Sequence, residues 1–236
     1  MDLPKPLAHG KLIKRYKRFL ADIELDSGEI VTAHCANPGA MTGLKDAGIS
    51  VWLSTSNNPK RKLKHSWELC QVGDAMVGIN TTHPNAIVEE AILTGKIPEL
   101  AGYETLKREV KYGQNSRIDI LLSDPHKGLC YVEVKNVHLK RDVTVPGLAE
   151  FPDAVTKRGA KHLDEMADMV AEGHRAVMFY LIQRTDCAAF TLASDIDPHY
   201  AARFASATQN GVEAIAYDCE ISTTSVTVRH KLPINP

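Results

Sequence analysis

Nowhere does this chain of 236 residues approach the roughly eighteen consecutive apolar residues of a membrane-spanning helix, and its first residues hold no apolar run of signal-peptide length. The expectation is a soluble, cytoplasmic protein. Cysteine is sparse: Cys35, Cys70, Cys130, Cys187 and Cys219 are far apart, odd in number and never in a CxxC unit. Neither a zinc site nor a disulfide framework is indicated, and free thiols in a reducing compartment are the simpler account. Charge of one sign is also missing, with 28 basic against 29 acidic residues and a formal charge of −1. That excludes a strong, uniformly positive field but leaves room for a local nucleic-acid patch. No phosphate-cradling glycine motif, helix-turn-helix, internal repeat or low-complexity tract is evident. What is there, at 44% apolar residues, is enough for one large domain or two modest ones.

Residues 1–83 read as short strands separated by Gly- and Pro-rich turns. Pro4 and Pro6 keep the extreme terminus extended and unhelpful for regular pairing. From Gly10 to Leu25 the second half alternates, with Ala21, Ile23 and Leu25 on one side; Asp26-Ser27-Gly28-Glu29 turns the chain and a strand returns from Ile30 to Cys35. Another strand runs from Ile49 to Ser54, and one or two more lie between Trp67 and Ile79, broken near Gly73-Asp74. Such a pattern suggests a small barrel. This segment carries eleven Lys/Arg against eight Asp/Glu, clustered at Lys11, Lys14, Arg15, Lys17, Arg18 and at Lys60, Arg61, Lys62, Lys64. Both tryptophans, Trp52 and Trp67, fall here, and Tyr16 and Phe19 interleave the first cluster. Basic side chains beside rings suit backbone binding with base stacking. The alternative is a lysine-protected strand edge with both tryptophans in the core. Asn37-Pro38-Gly39-Ala40-Met41-Thr42-Gly43-Leu44 reads as a plain turn.

Residues 84–236 alternate helices and strands. Ile87, Val88, Ala91 and Ile92 have helical spacing after Pro84, with Glu89 and Glu90 beside the stripe and no periodicity to choose between them. A strand follows from Leu106 to Tyr112. Next come Ser116 to Leu122 and Tyr131 to Val137, two apolar, β-branched runs joined by the turn Asp124-Pro125-His126-Lys127-Gly128. A strand's two-residue period puts Glu133 and Lys135 on one face. If Asp119 lies opposite, two carboxylates and an ammonium converge on a patch suited to Mg²⁺ or Mn²⁺ and to phosphodiester hydrolysis. A solvated strand face and a buried structural ion pair are the plainer alternatives. A second helix, between Ala154 and Gly173, begins with basic residues and ends with acidic ones; the run from Ala176 to Gln183 is a strand in a crossover that implies parallel pairing. The connection from Asn136 to Asp153 is turn-rich, and Cys187 to Leu192 shows a weaker strand pattern. A third helix from Tyr200 to Gln209 and a strand from Val212 to Tyr217 complete an order α-β-β-β-α-β-α-β, with Ile221 to His230 a candidate terminal strand, hence an α/β domain with a mixed sheet.

Several motifs carry a resemblance. They are His34-Cys35-Ala36-Asn37-Pro38-Gly39-Ala40-Met41, Asn57-Asn58-Pro59-Lys60-Arg61-Lys62-Leu63 leading to Trp67-Glu68-Leu69, and Asn80-Thr81 with Pro84-Asn85. Ser116-Arg117-Ile118-Asp119, Val132-Glu133-Val134-Lys135-Asn136, Phe151-Pro152-Asp153-Ala154 and Arg158-Gly159-Ala160-Lys161-His162-Leu163 follow in order. Over nearly its full length the chain resembles the sugar fermentation stimulation protein A family of bacteria and archaea. The resemblance implies an N-terminal OB-like β-barrel over 1–83 and a restriction-endonuclease-like domain of the PD-(D/E)XK type over 84–236. It further implies DNA binding, with RNA not distinguished, and a link to the regulation of sugar fermentation. The nuclease pattern maps onto Asp119 and Glu133-Val134-Lys135, with Glu90 as the acidic residue of the first core helix and Glu89 as its alternative. Ile118 stands where the pattern's name has proline. By the same resemblance Asp119, Glu133 and Glu90 hold Mg²⁺ or Mn²⁺, Lys135 serves the attacking water, and Arg158, Lys161, His162 and Gln183 line a phosphate path. The competing expectation is a DNA-binding regulator that uses the nuclease fold as a scaffold.

Overall fold

A computed structural model describes residues 1–113, 115–141 and 145–235. The chain forms a closed five-stranded barrel followed by an α/β domain built on a mixed sheet. The barrel strands are β1 (Ala8–Tyr16), β2 (Leu20–Leu25), β3 (Ile30–His34), β4 (Ser50–Thr55) and β5 (His65–Val72), with β6 (Ala75–Gly78) added to β5. Antiparallel pairing runs through β3-β2-β1-β4-β5, and parallel pairing of Ala33 with His65 and His34 with Ser66 closes the ring. Alternation does what its period requires: Ala21 and Ile23 point inward with Leu12, Val31, Ala33, Leu53 and Trp67. The run from Gly10 to Leu25 is two strands, because Lys17 and Arg18 turn the chain with φ of 46° and 64°. Non-glycine residues in that conformation carry no compositional warning, so the hairpin leaves no mark in the sequence.

The second domain begins with α1 (Pro84–Leu93) and a 3-10 turn at Pro98–Leu100. It continues through β7 (Thr105–Tyr112), β8 (Ser116–Asp124), β9 (Gly128–Val137), β10 (Leu148–Phe151), α2 (Lys157–Ala171), β11 (Arg175–Ile182), β12 (Ala189–Leu192), α3 (Pro198–Gln209), β13 (Glu213–Ile221) and β14 (Val226–Leu232). Six strands form one sheet in the order β14-β13-β11-β9-β8-β7, with β11 parallel to β9 and β13 and the outer pairs antiparallel. Central β11 is apolar along nearly its whole length because helices cover both of its faces. On one face α1 contributes Ile87, Val88, Ala91 and Ile92; on the other α2 contributes Leu163, Met166 and Met169. The short β10 and β12 form a separate parallel pair in what the sequence presents as a turn-rich connection and a weak strand. Among the described residues no helix is long and apolar enough to cross a membrane.

Several contacts join the domains. Leu69, on the outside of the barrel, is buried in the core cluster beneath α1, and Gly78 N–H donates to the Gln183 carbonyl at 3.0 Å. Residues 1–3 do not belong with the barrel, contrary to the expected division: Leu3 N–H donates to the Thr224 carbonyl at 2.9 Å, and Asp2 pairs with Ser225 beside β14. At the junction Glu68, only 4% exposed, accepts from Ser54, from Asn80 Nδ2 at 2.7 Å and from His83 Nε2 at 2.8 Å. Burial opposes its charge, but the His83, Ser54 and Asn80 hydrogen bonds prevail and its carboxyl sits below the ordinary value. Glu68→Ala would strand Ser54 of β4 and Asn80 and His83 at the start of α1, and a loss of about 3–5 kcal/mol is expected by denaturant unfolding at pH 7. A change below about 1 kcal/mol would show that this network does not hold the junction.

Candidate functional site

Pairing between β8 and β9 ends at Ile120 with Val132, while β8 stays paired to β7 as far as Ser116 with Tyr112. The sheet therefore forks, and Asp119 stands in the fork. Its Oδ2 accepts the Val134 N–H at 2.8 Å, replacing the strand partner that β9 has lost, and its Oδ1 accepts from Asn85 Nδ2 of α1 at 2.9 Å. On β9 the alternation sends Val132 and Val134 under α1 and turns Glu133 toward α2. Both carboxylates nevertheless line one cleft of 350 Å³, together with Asn85, Arg108, Glu109, Lys135 and Arg158.

Glu133 is 2% exposed. Its Oε1 accepts from Lys135 Nζ at 2.6 Å and from His162 Nδ1. Arg158 Nε donates to His162 Nε2 at 3.3 Å, so in the neutral ring the proton sits on Nδ1, aimed at Glu133. Burial pushes the Glu133 carboxyl up, but Lys135 and His162 outweigh it and leave it below its ordinary value. Oε2 has no hydrogen-bond partner. Asp119 shifts the other way: burial, then the Glu133 charge, raise it to about 6. A buried, unpartnered carboxylate oxygen beside a second carboxylate is a donor set that fits a hard divalent cation. No three His, Cys, Asp or Glu side chains among the described residues form a complete cage. Two carboxylates suffice for Mg²⁺, which keeps waters and takes substrate phosphates as further ligands.

Asp119, Glu133 and Lys135 thus come together, while Glu90 does not. Its Oε1 pairs with the Met1 amino group at 2.7 Å, on the side of α1 facing β14. Glu89 pairs with Arg108 at 3.2 Å at the edge of the cleft. The third acidic residue lining the cleft is Glu109 of β7, whose Oε1 shares Asn85 Nδ2 at 3.3 Å. Its φ of 54° is a left-handed conformation unusual for glutamate. Sequence pattern offers no hint of it, since a lone glutamate in an exposed edge strand looks like solvated surface. Three of the residues expected along a phosphate path are used otherwise. His162 is buried against Glu133, Gln183 is buried with its Nε2 on Asn136 Oδ1 at 2.8 Å, and Lys161 pairs with Glu165 at 3.2 Å. Arg158 reaches the cleft, and His162, though turned to Glu133, lines it as well.

The barrel's basic residues lie outside the cleft lining. Lys14 pairs with Asp22 at 3.6 Å and lies over the Tyr16 ring, and Arg15 Nη2 donates to the carbonyls of Asn37 and Gly39 at 2.8 and 3.2 Å. Lys17, Arg18, Lys60, Arg61, Lys62 and Lys64 are exposed on turns or loops. Trp67 is barrel core; Trp52 packs beside His9 at 5.0 Å. A larger cleft of 810 Å³ runs along α2 past Tyr112, Tyr131 and Glu165 and holds neither Asp119 nor Glu133.

Comparison with known proteins matches both halves. Residues 13–79 match the family model of the SfsA N-terminal OB domain, and residues 82–225 that of the sugar fermentation stimulation protein RE domain. A sugar fermentation stimulation protein homolog of Rhodospirillum rubrum is 57% identical, covering 99% of each chain, and one of Maricaulis maris is 53% identical, covering 99% of this chain and 98% of the relative. A solved structure, Pyrococcus furiosus SfsA in complex with Ca²⁺, superposes with a TM-score of 0.88 at 24% identity, over 100% of this chain and 98% of the other. That last likeness concerns the fold. With both domains matched and full-length relatives above half identity, the chain belongs to the sugar fermentation stimulation protein family.

Proposed function

We propose that this protein is a DNA-binding, metal-dependent phosphodiesterase acting on nucleic acid. The observation that carries the reading is the convergence of Asp119, Glu133 and Lys135 on one cleft, with Glu133 Oε2 left unpartnered. Asp119 and Glu133 would hold Mg²⁺ or Mn²⁺, with Glu109 rather than Glu90 as the nearby third carboxylate. Bound there, the ion supplies Lewis-acid polarisation of a phosphoryl oxygen and compensates its charge. That the Pyrococcus furiosus protein was solved in complex with Ca²⁺ supports a divalent-cation site in this fold.

The protein's own groups have separable tasks. Asn85 and the Val134 amide fix the direction of Asp119, and His162 and Lys135 fix that of Glu133. Lys135 Nζ, anchored on Glu133, orients the attacking water and offsets negative charge developing at phosphorus. Arg108 and Arg158 are the cations of the cleft that can take phosphate oxygens. The barrel's exposed lysines and arginines add salt-sensitive affinity for the backbone. The family's name records an effect on sugar fermentation, which a nucleic-acid-directed activity accommodates without specifying its target.

Asp119→Ala, Glu133→Ala and Lys135→Ala are each expected to lower Mg²⁺- or Mn²⁺-dependent cleavage by about 100-fold or more. Glu90→Ala should cleave like wild type. Purified proteins incubated with single- and double-stranded DNA and RNA, with and without metal, provide the check. Cleavage indifferent to all three substitutions identifies a contaminant, and salt-sensitive binding without any cleavage favours a non-catalytic DNA-binding scaffold.

The raised pKa of Asp119 has a definite sign. The folded state holds this proton more tightly than the unfolded chain, so the contribution of Asp119 to stability falls as pH rises from about 4 to about 6. Asp119→Asn should therefore stabilise the metal-free protein by about 1–3 kcal/mol at pH 7 and by nothing below about pH 4, as read by urea unfolding. Mn²⁺ affinity of wild type, measured by calorimetry, should weaken about tenfold per pH unit below 6. A pH-independent affinity would remove Asp119 from the proposed ligand set.

A further inference from the structure

A second, smaller cavity of 150 Å³ lies between the domains and adjoins the carboxylate cleft, sharing Thr81 and Asn136 with it. One wall is Asn37-Pro38-Gly39 of the barrel; the other includes Phe151 and Asp153 ahead of α2. These walls are held in place. Asn37, 2% exposed, donates from Nδ2 to the Ile79 carbonyl at 3.0 Å and accepts the Gly39 N–H on Oδ1 at 2.9 Å. Arg15 ties down the carbonyls of Asn37 and Gly39 from behind. His138 donates from Nε2 to the Gly78 carbonyl, which can only accept, so Nδ1 is left to accept from Asn37 Nδ2 at 3.3 Å. Burial holds the His138 pKa down at about 4, and the ring is neutral near pH 7. Gly39 comes so close to Asp153 that a Cβ on it would lie 2.3 Å from Oδ2. This stretch is therefore more than the plain turn that its composition suggests, since its glycine packs closely against Asp153 of the opposite domain.

The size and chemistry of this space limit what it can take. About 150 Å³ is the room a benzene-sized ring fills, and a base pair does not fit it. Its lining combines the Asn37 and Asn136 amides with two carboxylates, Glu150 held by Arg141 and Asp153 accepting the Met41 N–H at 3.4 Å. This is a polar mixture that reads one base by hydrogen bonds, while the Phe151 ring packs on Tyr180 and Tyr200. On the barrel side, His34 lies three residues before Asn37, and exposed Phe19 is stacked on it at 6.4 Å beside the Lys17-Arg18 turn. The ring-sized cavity and the carboxylate cleft adjoin through Thr81 and Asn136.

Building on the nucleic-acid reading above, we infer that the cavity receives a single unpaired nucleobase, so that the substrate strand reaches the cleft single-stranded or with one nucleotide turned out of its duplex. The test is fluorescence anisotropy with one labelled 20-mer, offered as single-stranded DNA, as blunt duplex and as duplex with one bulged nucleotide, in chelator and again in Ca²⁺. Wild type should bind the single strand about tenfold more tightly than the duplex at equal salt, with the bulged duplex between them. Asp153→Leu, which fills the cavity, should bring that ratio close to one while leaving salt-sensitive duplex binding. Asp153→Asn should keep most of it. A probe that does not depend on the variants is 2-aminopurine placed singly along the strand. One position should change its fluorescence on binding wild type, and removing the base at that position should cost affinity. Equal or tighter binding of blunt duplex by wild type overturns the base-cavity inference alone. Absence of salt-sensitive binding to every form overturns the nucleic-acid reading with it.

Discussion

A carboxylate that is 2% exposed must be compensated where it lies, and Glu133 is compensated twice on the same oxygen. Lys135 comes from two residues along the same strand and His162 from the facing helix, so the charge ties sheet to helix as well as serving the cleft. Leaving such a charge unpaired would cost several kcal/mol. Concentrating both donors on Oε1 has a consequence at the other oxygen, which remains buried, charged and without a partner. That unsatisfied atom lies in the same cleft as Asp119, whose proton burial and the Glu133 charge make hard to remove.

The fork in the sheet follows from the same balance. Where β8 leaves β9, the Val134 amide would lose its acceptor, and the Asp119 carboxylate takes that place. A backbone hydrogen bond thus fixes the direction of a side chain, a firmer constraint than side-chain packing alone. Asn85 approaches from α1, and its position depends on the chain between the barrel and that helix, which Glu68 holds through Asn80 and His83. In this way a buried glutamate of the barrel orients a polar residue at the cleft of the neighbouring domain. The junction is part of the site's construction, and the smaller cavity beside the cleft is made of both domains for the same reason.

Much of this is legible in the chain. Alternation in β2, continuous apolarity in β11 and helical spacing in α1 and α2 each express one geometric period, and all four elements are present. The hairpin at Lys17-Arg18 and the pair β10 and β12 are not. The first turns on residues without turn chemistry, and the second uses strands too short to display a period. Charge is harder to read than apolarity. Glu89, Glu90 and Glu109 look alike in sequence, and what separates them is their partners: Arg108 for the first, the Met1 amino group for the second, Asn85 and the cleft for the third.

Local sequence therefore determined the longer strands and the helices, and it put Glu133 and Lys135 on one side of a strand, because the side-chain period is a property of the backbone itself. The opening of the sheet at Asp119, the burial of His162 against Glu133 and the use of Gly39 as the close wall of a cavity were decided only by tertiary structure. Each depends on contact between segments distant in the chain, such as Glu133 and His162, 29 positions apart, and no local periodicity encodes that distance.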